Sequence, residues 1–183
     1  MISRISMAIV TIVGGCILIA LVFIDNSVDM LYLARKNESK HIVQVAFNSI
    51  KPLIKQQKSG ELIRVEALSL AVQMLREMTY VDQFGDNYIF MSDYTGTMLV
   101  QPFEPDLQGS NQWDLKDGRG NYLIRKLVDT AKNKGEGFVE YYYKPPGREE
   151  VQRKISYVIG IPEWGVYLGT GMYTEDVERF HSN

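Results

Sequence analysis

Residues 5–24 read ISMAIVTIVGGCILIALVFI, a run without one charged side chain. Nothing else in the chain restricts its fold as strongly. About twenty apolar residues in a helix span the hydrocarbon core of a bilayer, because a helix satisfies its backbone polar groups internally. The run predicts a transmembrane helix, with residues 1–4 as a short cytoplasmic N-terminus. Arg4 precedes it, and Asp25 and Asp29 follow it. The positive-inside rule then puts the rest of the chain outside the cytoplasm, in a single-pass protein of the cell inner membrane. A cleaved signal peptide is the alternative. Its apolar core is usually shorter, however, and no small-x-small cleavage site follows at residues 22–26. Cys16, the only cysteine, sits inside the run and acts there as a small apolar residue.

A single cysteine excludes a disulfide within the chain, and with two histidines far apart in sequence there is no zinc motif. Lysines and arginines number 20 against 22 acidic residues, so no basic excess favours nucleic acid. Eleven tyrosines are the mild compositional excess. Tyrosine combines an apolar body with a polar tip, which suits either a sheet surface or a small-molecule pocket.

Beyond the apolar run, residues 25–58 continue on a helical period through Ile42, Val45, Ala46, Ser49, Ile50, Leu53 and Ile54. This predicts a long membrane-proximal helix, kinked or locally ended at Pro52. KSG at residues 58–60 breaks it. A second helix is expected over residues 61–80, with Leu62, Val65, Leu68, Ala71, Val72 and Leu75 on one face, then a loop, VDQFGDN. The period then changes to two. NYIFMS (87–92) and GTMLVQ (96–101) flank a turn. A long loop with two prolines follows, then a helix over residues 121–134. Three more strands are expected at 138–143, 151–160 and 164–171, antiparallel because their connections are short. Thr174 reads as the N-cap of a closing helix. Asp93, Asp117, Gly137 and Gly171 read as turn residues. The sum is an α+β domain over residues 59–183 with a five-stranded antiparallel sheet and the long helix packed on it.

Two stretches carry a resemblance. DNYIFMSDYTGTMLVQPFEPDLQGSNQWDLKDGRGNYLIRKLVDTAKNKGEGFVEYYYKPP and KISYVIGIPEWGVYLGTGMYTEDVE resemble, in order and spacing, the single Cache domain of bacterial transmembrane receptors such as methyl-accepting chemotaxis proteins. The match runs from about Arg35 to the C-terminus. It implies a PAS-like antiparallel sheet behind a long helix. It also implies a sensor outside the cell for small molecules, often short carboxylates, that signals to chemotaxis, kinase or cyclic-nucleotide modules. Three positions depart from the pattern: Gln101 where a histidine commonly precedes the proline, Thr79 where an arginine commonly precedes the tyrosine, and Val166 in place of a second tryptophan. Ligand identity is therefore not carried over.

In VQRKISYVIG, alternation puts Arg153, Ile155, Tyr157 and Ile159 on one face of a strand and Lys154, Ser156 and Val158 on the other. A lysine on a pocket face is partly desolvated, and pairing with an anion offsets that cost. Lys154 is thus the expected cation for a ligand carboxylate; the alternative is a strand lysine facing solvent. Tyr88, Tyr141 and Ser156 offer hydroxyls, Gln101 an amide and Trp113 an apolar wall or lid. Tyr157 points the other way, toward the long helix, and Arg125 is expected in water. DLKDGRG lacks the alternating oxygen ligands of a calcium loop.

No nucleophile with a base, no carboxylate pair and no metal set is visible, so an exported enzyme is not expected, and neither is a cofactor. The competing reading is a membrane-anchored interaction or dimerisation protein with a vestigial pocket. The expected partners are a small organic acid, the membrane and a second copy of the chain. No output module is read after residue 183, so the signal is expected either in the rest of a longer receptor or in a partner chain.

Overall fold

The computed structural model describes the backbone of residues 2–82 and 85–175, with the side chains of 13–18, 27, 29–82 and 85–175. Helix α1 (Ile2–Ser59) is followed by α2 (Arg64–Arg76), a hairpin of β1 (Thr79–Asp82) and β2 (Gly85–Tyr88), then β3 (Phe90–Asp93) and β4 (Met98–Val100). A long loop holds one turn of 3₁₀ helix at Pro105–Leu107. Helix α3 (Leu123–Asn133) and strands β5 (Glu136–Tyr143), β6 (Gln152–Ile161) and β7 (Val166–Tyr173) complete the chain. The five-stranded sheet has the order β4-β3-β7-β6-β5, all neighbours antiparallel.

The α+β class and the five-stranded sheet match the expectation. Helix α1 does not end at Pro52: it continues to Ser59. Proline costs the helix one hydrogen bond, but Ile50 and Ile54, on either side of it, are buried in the core. The buried stripe of α1 is Val43, Ala46, Ile50 and Ile54, whereas Val45 is 68% exposed. Of the expected stripe, Ala46, Ile50 and Ile54 are thus buried and Ile42 and Leu53 pack against them, with Val43 added. Helix α2 is shorter than expected. The Glu66 carboxylate accepts the Ile63 N–H at 3.1 Å and closes its first turn. At the other end, TYVD leaves the helix for β1. Its β-branched and aromatic residues pair with β2, where a loop was expected. The transmembrane expectation for residues 5–24 falls mostly on side chains outside those described. Among the described residues no helix is long and apolar enough to cross a membrane. The expected closing helix begins at residues 174–175, which are helical, and its remainder lies outside the described residues.

Both faces of the sheet are covered, so every residue of β7 is buried. One face packs Met91, Tyr157, Ile159, Ile161 and Leu168 against α1 and α2. The other packs Tyr88, Phe90, Tyr141, Val158 and Tyr167 against Leu123, Ile124 and Leu127 of α3. Gly160 permits this second layer: a Cβ there would run into the Ala131 carbonyl oxygen of α3 and come within 2.8 Å of the Tyr94 hydroxyl. Asp93 and Asp117 organise turns as expected, each accepting backbone N–H groups two and four residues on. Gly137 and Gly171 are not turn residues. They lie inside β5 and β7, where a side chain would collide with Thr130 or Ser156.

Candidate functional site

Lys154 lies near the start of β6, and strand register fixes its neighbours. Tyr141 of β5 and Tyr173 of β7 stand directly opposite it on either side. Residues paired across strands share a face, so the lysine emerges between two tyrosines on the α3 side of the sheet. It is 1% exposed. Its ammonium lies 4.6 Å from the ring centroid of Tyr88 and 4.8 Å from that of Tyr173, with Phe90 and Tyr143 within 6 Å. It donates to the Tyr88 hydroxyl at 3.4 Å. Among the described residues no carboxylate is in ion-pair contact with it. Aromatic faces attract a cation but do not replace its hydration. Burial therefore pulls the Lys154 ammonium down to about 7, with the Glu104 charge pulling the other way.

The polar groups around it form a chain. The Gln101 amide donates to the Tyr88 hydroxyl at 3.3 Å and to the Glu104 carboxylate at 3.1 Å. The Tyr143 hydroxyl donates to the same Glu104 oxygen. The Tyr141 and Ser156 hydroxyls share a hydrogen bond of 2.8 Å. Buried Gln101 Oε1 has no hydrogen-bond partner among the described residues, which leaves one acceptor to offer a ligand donor. Burial pushes the phenols of Tyr88 and Tyr141 up. They therefore stay protonated and able to donate.

Tyr88, Gln101, Tyr141 and Tyr143 line a cavity between sheet and α3, with Phe90, Tyr167 and the α3 leucines as its apolar walls. Its volume is about 20 Å³, close to the space one water occupies. Tyr88 also borders a second, outer cavity of about 270 Å³, lined by Phe103, Glu104, Lys144, Arg148 and Glu149.

Of the six residues singled out from sequence, Tyr88, Gln101 and Tyr141 line the inner cavity, whereas Lys154 and Ser156 sit behind it, bonded to Tyr88 and Tyr141. Trp113 is not among the lining residues. It packs half-buried at the edge of the cluster, against the turn at Gly96, with the Arg125 guanidinium 5.5 Å from its ring. Arg125 pairs at the surface with Asp114, as its expected position in water implies. Tyr157 packs on the α1 side, under Lys40. Sequence reading missed Tyr143, Tyr173 and Glu104. Tyr143 follows Tyr141 at the strand period and Tyr173 pairs with Lys154, so both were within reach of alternation and register. Glu104 lies in a loop, where no period points to it.

The comparisons with known proteins agree with this fold. The family model for single Cache domain 2 matches residues 31–181. The chain belongs to the single Cache family. Among curated relatives, methyl-accepting chemotaxis protein McpP of Pseudomonas putida is 26% identical over 96% of this chain. CtpM of Pseudomonas aeruginosa, also a methyl-accepting chemotaxis protein, is 31% identical over 90%. Sensor histidine kinase MctS of Rhizobium johnstonii is 29% identical over 84%. This single Cache chain spans 32%, 29% and 32% of those relatives' own lengths. Of solved structures, a Cache chemosensory domain studied for carboxylic acid recognition is 30% identical with a TM-score of 0.71, over 79% of this chain and 97% of that one. A methyl-accepting chemotaxis protein from Vibrio parahaemolyticus is 26% identical with a TM-score of 0.72, over 84% and 98%. The family is a sensing module of chemotaxis receptors and sensor kinases.

Proposed function

We propose that this Cache domain senses a small organic acid outside the cytoplasm and that Lys154 holds the acid's carboxylate. The observation that carries the reading is the buried ammonium of Lys154, ringed by phenols and in ion-pair contact with none of the described carboxylates. A carboxylate would restore the interactions that burial removed from it. Tyr88 and Gln101 would orient the acid, with Tyr141 and Ser156 closing the polar side. The carboxylic acid recognised by the 30%-identical Cache neighbour supports the ligand class. Residues 5–24 anchor the domain as one membrane span, residues 25–58 carry its signal toward that span, and the output is a receptor module of the chemotaxis type.

A melting-temperature screen of the whole chain in detergent, against organic acids of two to four carbons, tests the assignment. At least one acid should raise the melting temperature, and Lys154→Ala should abolish that rise. An unchanged rise in the variant would remove Lys154 from the site. The small volume of the inner cavity favours a second reading, a vestigial pocket on a dimerising protein. In that case no acid shifts melting while the chain still runs as a dimer in analytical ultracentrifugation.

A further inference from the structure

The donors best placed to receive a ligand carboxylate already hold one that belongs to the protein. Glu104 directs a single oxygen at both the Gln101 amide and the Tyr143 hydroxyl. Gln101 in turn contacts Tyr88, which contacts Lys154. Glu104 is thus the negative end of the same polar chain whose positive end is Lys154. It also has somewhere else to go. It borders the outer cavity, whose lining also holds Lys144, paired with Glu149, and Arg148 on the loop after β5. Tyr88 borders both cavities, and its ring centroid lies 5.4 Å from that of Phe103 of the outer one.

Resting on the organic-acid reading, we propose that Glu104 is a built-in competitor of the ligand. An arriving acid displaces its carboxylate from Gln101 and Tyr143 into the outer cavity, and that displacement sets the concentration at which the sensor responds. Two considerations carry this. First, two carboxylates cannot share these donors and one lysine without strong repulsion, so one of them must leave. Second, the inner cavity has room for about one water. Entry of even a two-carbon acid therefore requires the Gln101–Glu104 segment to move. The same displacement that makes room for the acid frees the segment at the end of β4, and so reports occupancy to the sheet edge.

The test compares the whole wild-type chain in detergent with Glu104→Gln and, as a second variant, Glu104→Ala. Acetate, propionate and lactate are titrated calorimetrically at pH 7 and fixed salt. Removing a competing charge should tighten the best of these acids by about tenfold, the change expected when one like-charge contact is lost. A Glu104 that only braced the fold, or that contacted the acid directly, would instead give weaker binding and a lower melting temperature in both variants. Equal or weaker binding in the variants, with acids still binding the wild type, overturns the competitor and leaves the organic-acid reading standing. If none of the three acids binds either protein, the competitor falls, and the organic-acid reading falls with it when the two-to-four-carbon melting screen is also negative.

Discussion

Lys154, buried and in ion-pair contact with none of the described carboxylates, makes the stability of this domain depend on pH, and with it the proposed acid binding. The Lys154 ammonium falls from its ordinary 10.5 to about 7 in the folded protein. Between those values the unfolded chain binds the extra proton, so folding stability rises with pH from about 7 toward 10.5. Below 7 both states are protonated and the burial cost is present in full. Binding runs the other way. A carboxylate prefers the protonated lysine, so above pH 7 each bound acid takes up a proton. Apparent affinity should then weaken about tenfold per pH unit above 7 and level off below it. Calorimetry in buffers of different ionisation enthalpy reads the proton uptake directly. Lys154→Met keeps the volume and removes the charge. It should flatten the stability profile between pH 7 and 10 and abolish acid binding. A wild-type affinity constant from pH 6 to 9 would mean that Lys154 does not meet the carboxylate.

At the level of elements, the site is a product of how α3 and the strands close on each other. Gly160 of β6 lies under the last turns of α3, and its N–H is bonded to the Gly135 carbonyl oxygen at 2.8 Å, just past the helix end. Gly160→Ala forces α3 away from the sheet. It should cost about 1–3 kcal/mol in urea unfolding and lower acid affinity, since Leu123, Ile124 and Leu127 of α3 wall the inner cavity. Unchanged stability would show that the layer is looser than its contacts suggest. On the opposite face, Arg35 of α1 pairs with Asp82 of β1 and with Glu38, both ends of the Arg35–Asp82 pair being about nine-tenths buried. The hairpin is also held to β7, where Asn87 donates to the Gly171 carbonyl oxygen and Tyr80 bonds to Thr170. Gly171 is paired with Ser156 and sits two residues from Tyr173. The hairpin therefore bridges the strand that borders the lysine and the helix that leads to the N-terminus.

The whole molecule is arranged as three layers, with the candidate pocket on the α3 side and α1 on the other. Strands β6 and β7 contact both, and the β1–β2 hairpin adds a second route from Lys154 to α1 through Tyr88 and the Arg35–Asp82 pair. The exposed residues of α1 leave an open groove beside it, lined by His41, Ile42, Val45 and Met78. The membrane anchor proposed for residues 5–24 has a direct check. The chain expressed in bacteria should stay in the membrane pellet after alkaline carbonate extraction, and a version starting at Asp25 should be released. Release of the whole chain by carbonate would refute the span.

What local sequence determined was periodicity. Alternation in KISYVIG put Lys154 opposite Tyr157, and burial of the one beside phenols and the other under α1 follows that parity. Short connections likewise fixed β5, β6 and β7 as antiparallel neighbours. Tertiary structure alone decided what lies opposite each face. Strand β3 pairs with β7 rather than remaining with β4 alone, and that insertion brings Tyr88 over Lys154 across 66 residues of chain. Glu104 reaches Tyr143 from a loop with no period to announce it. The cause is physical: a side chain's direction follows from its own strand's geometry, whereas its neighbour follows from how distant segments pack to bury apolar surface.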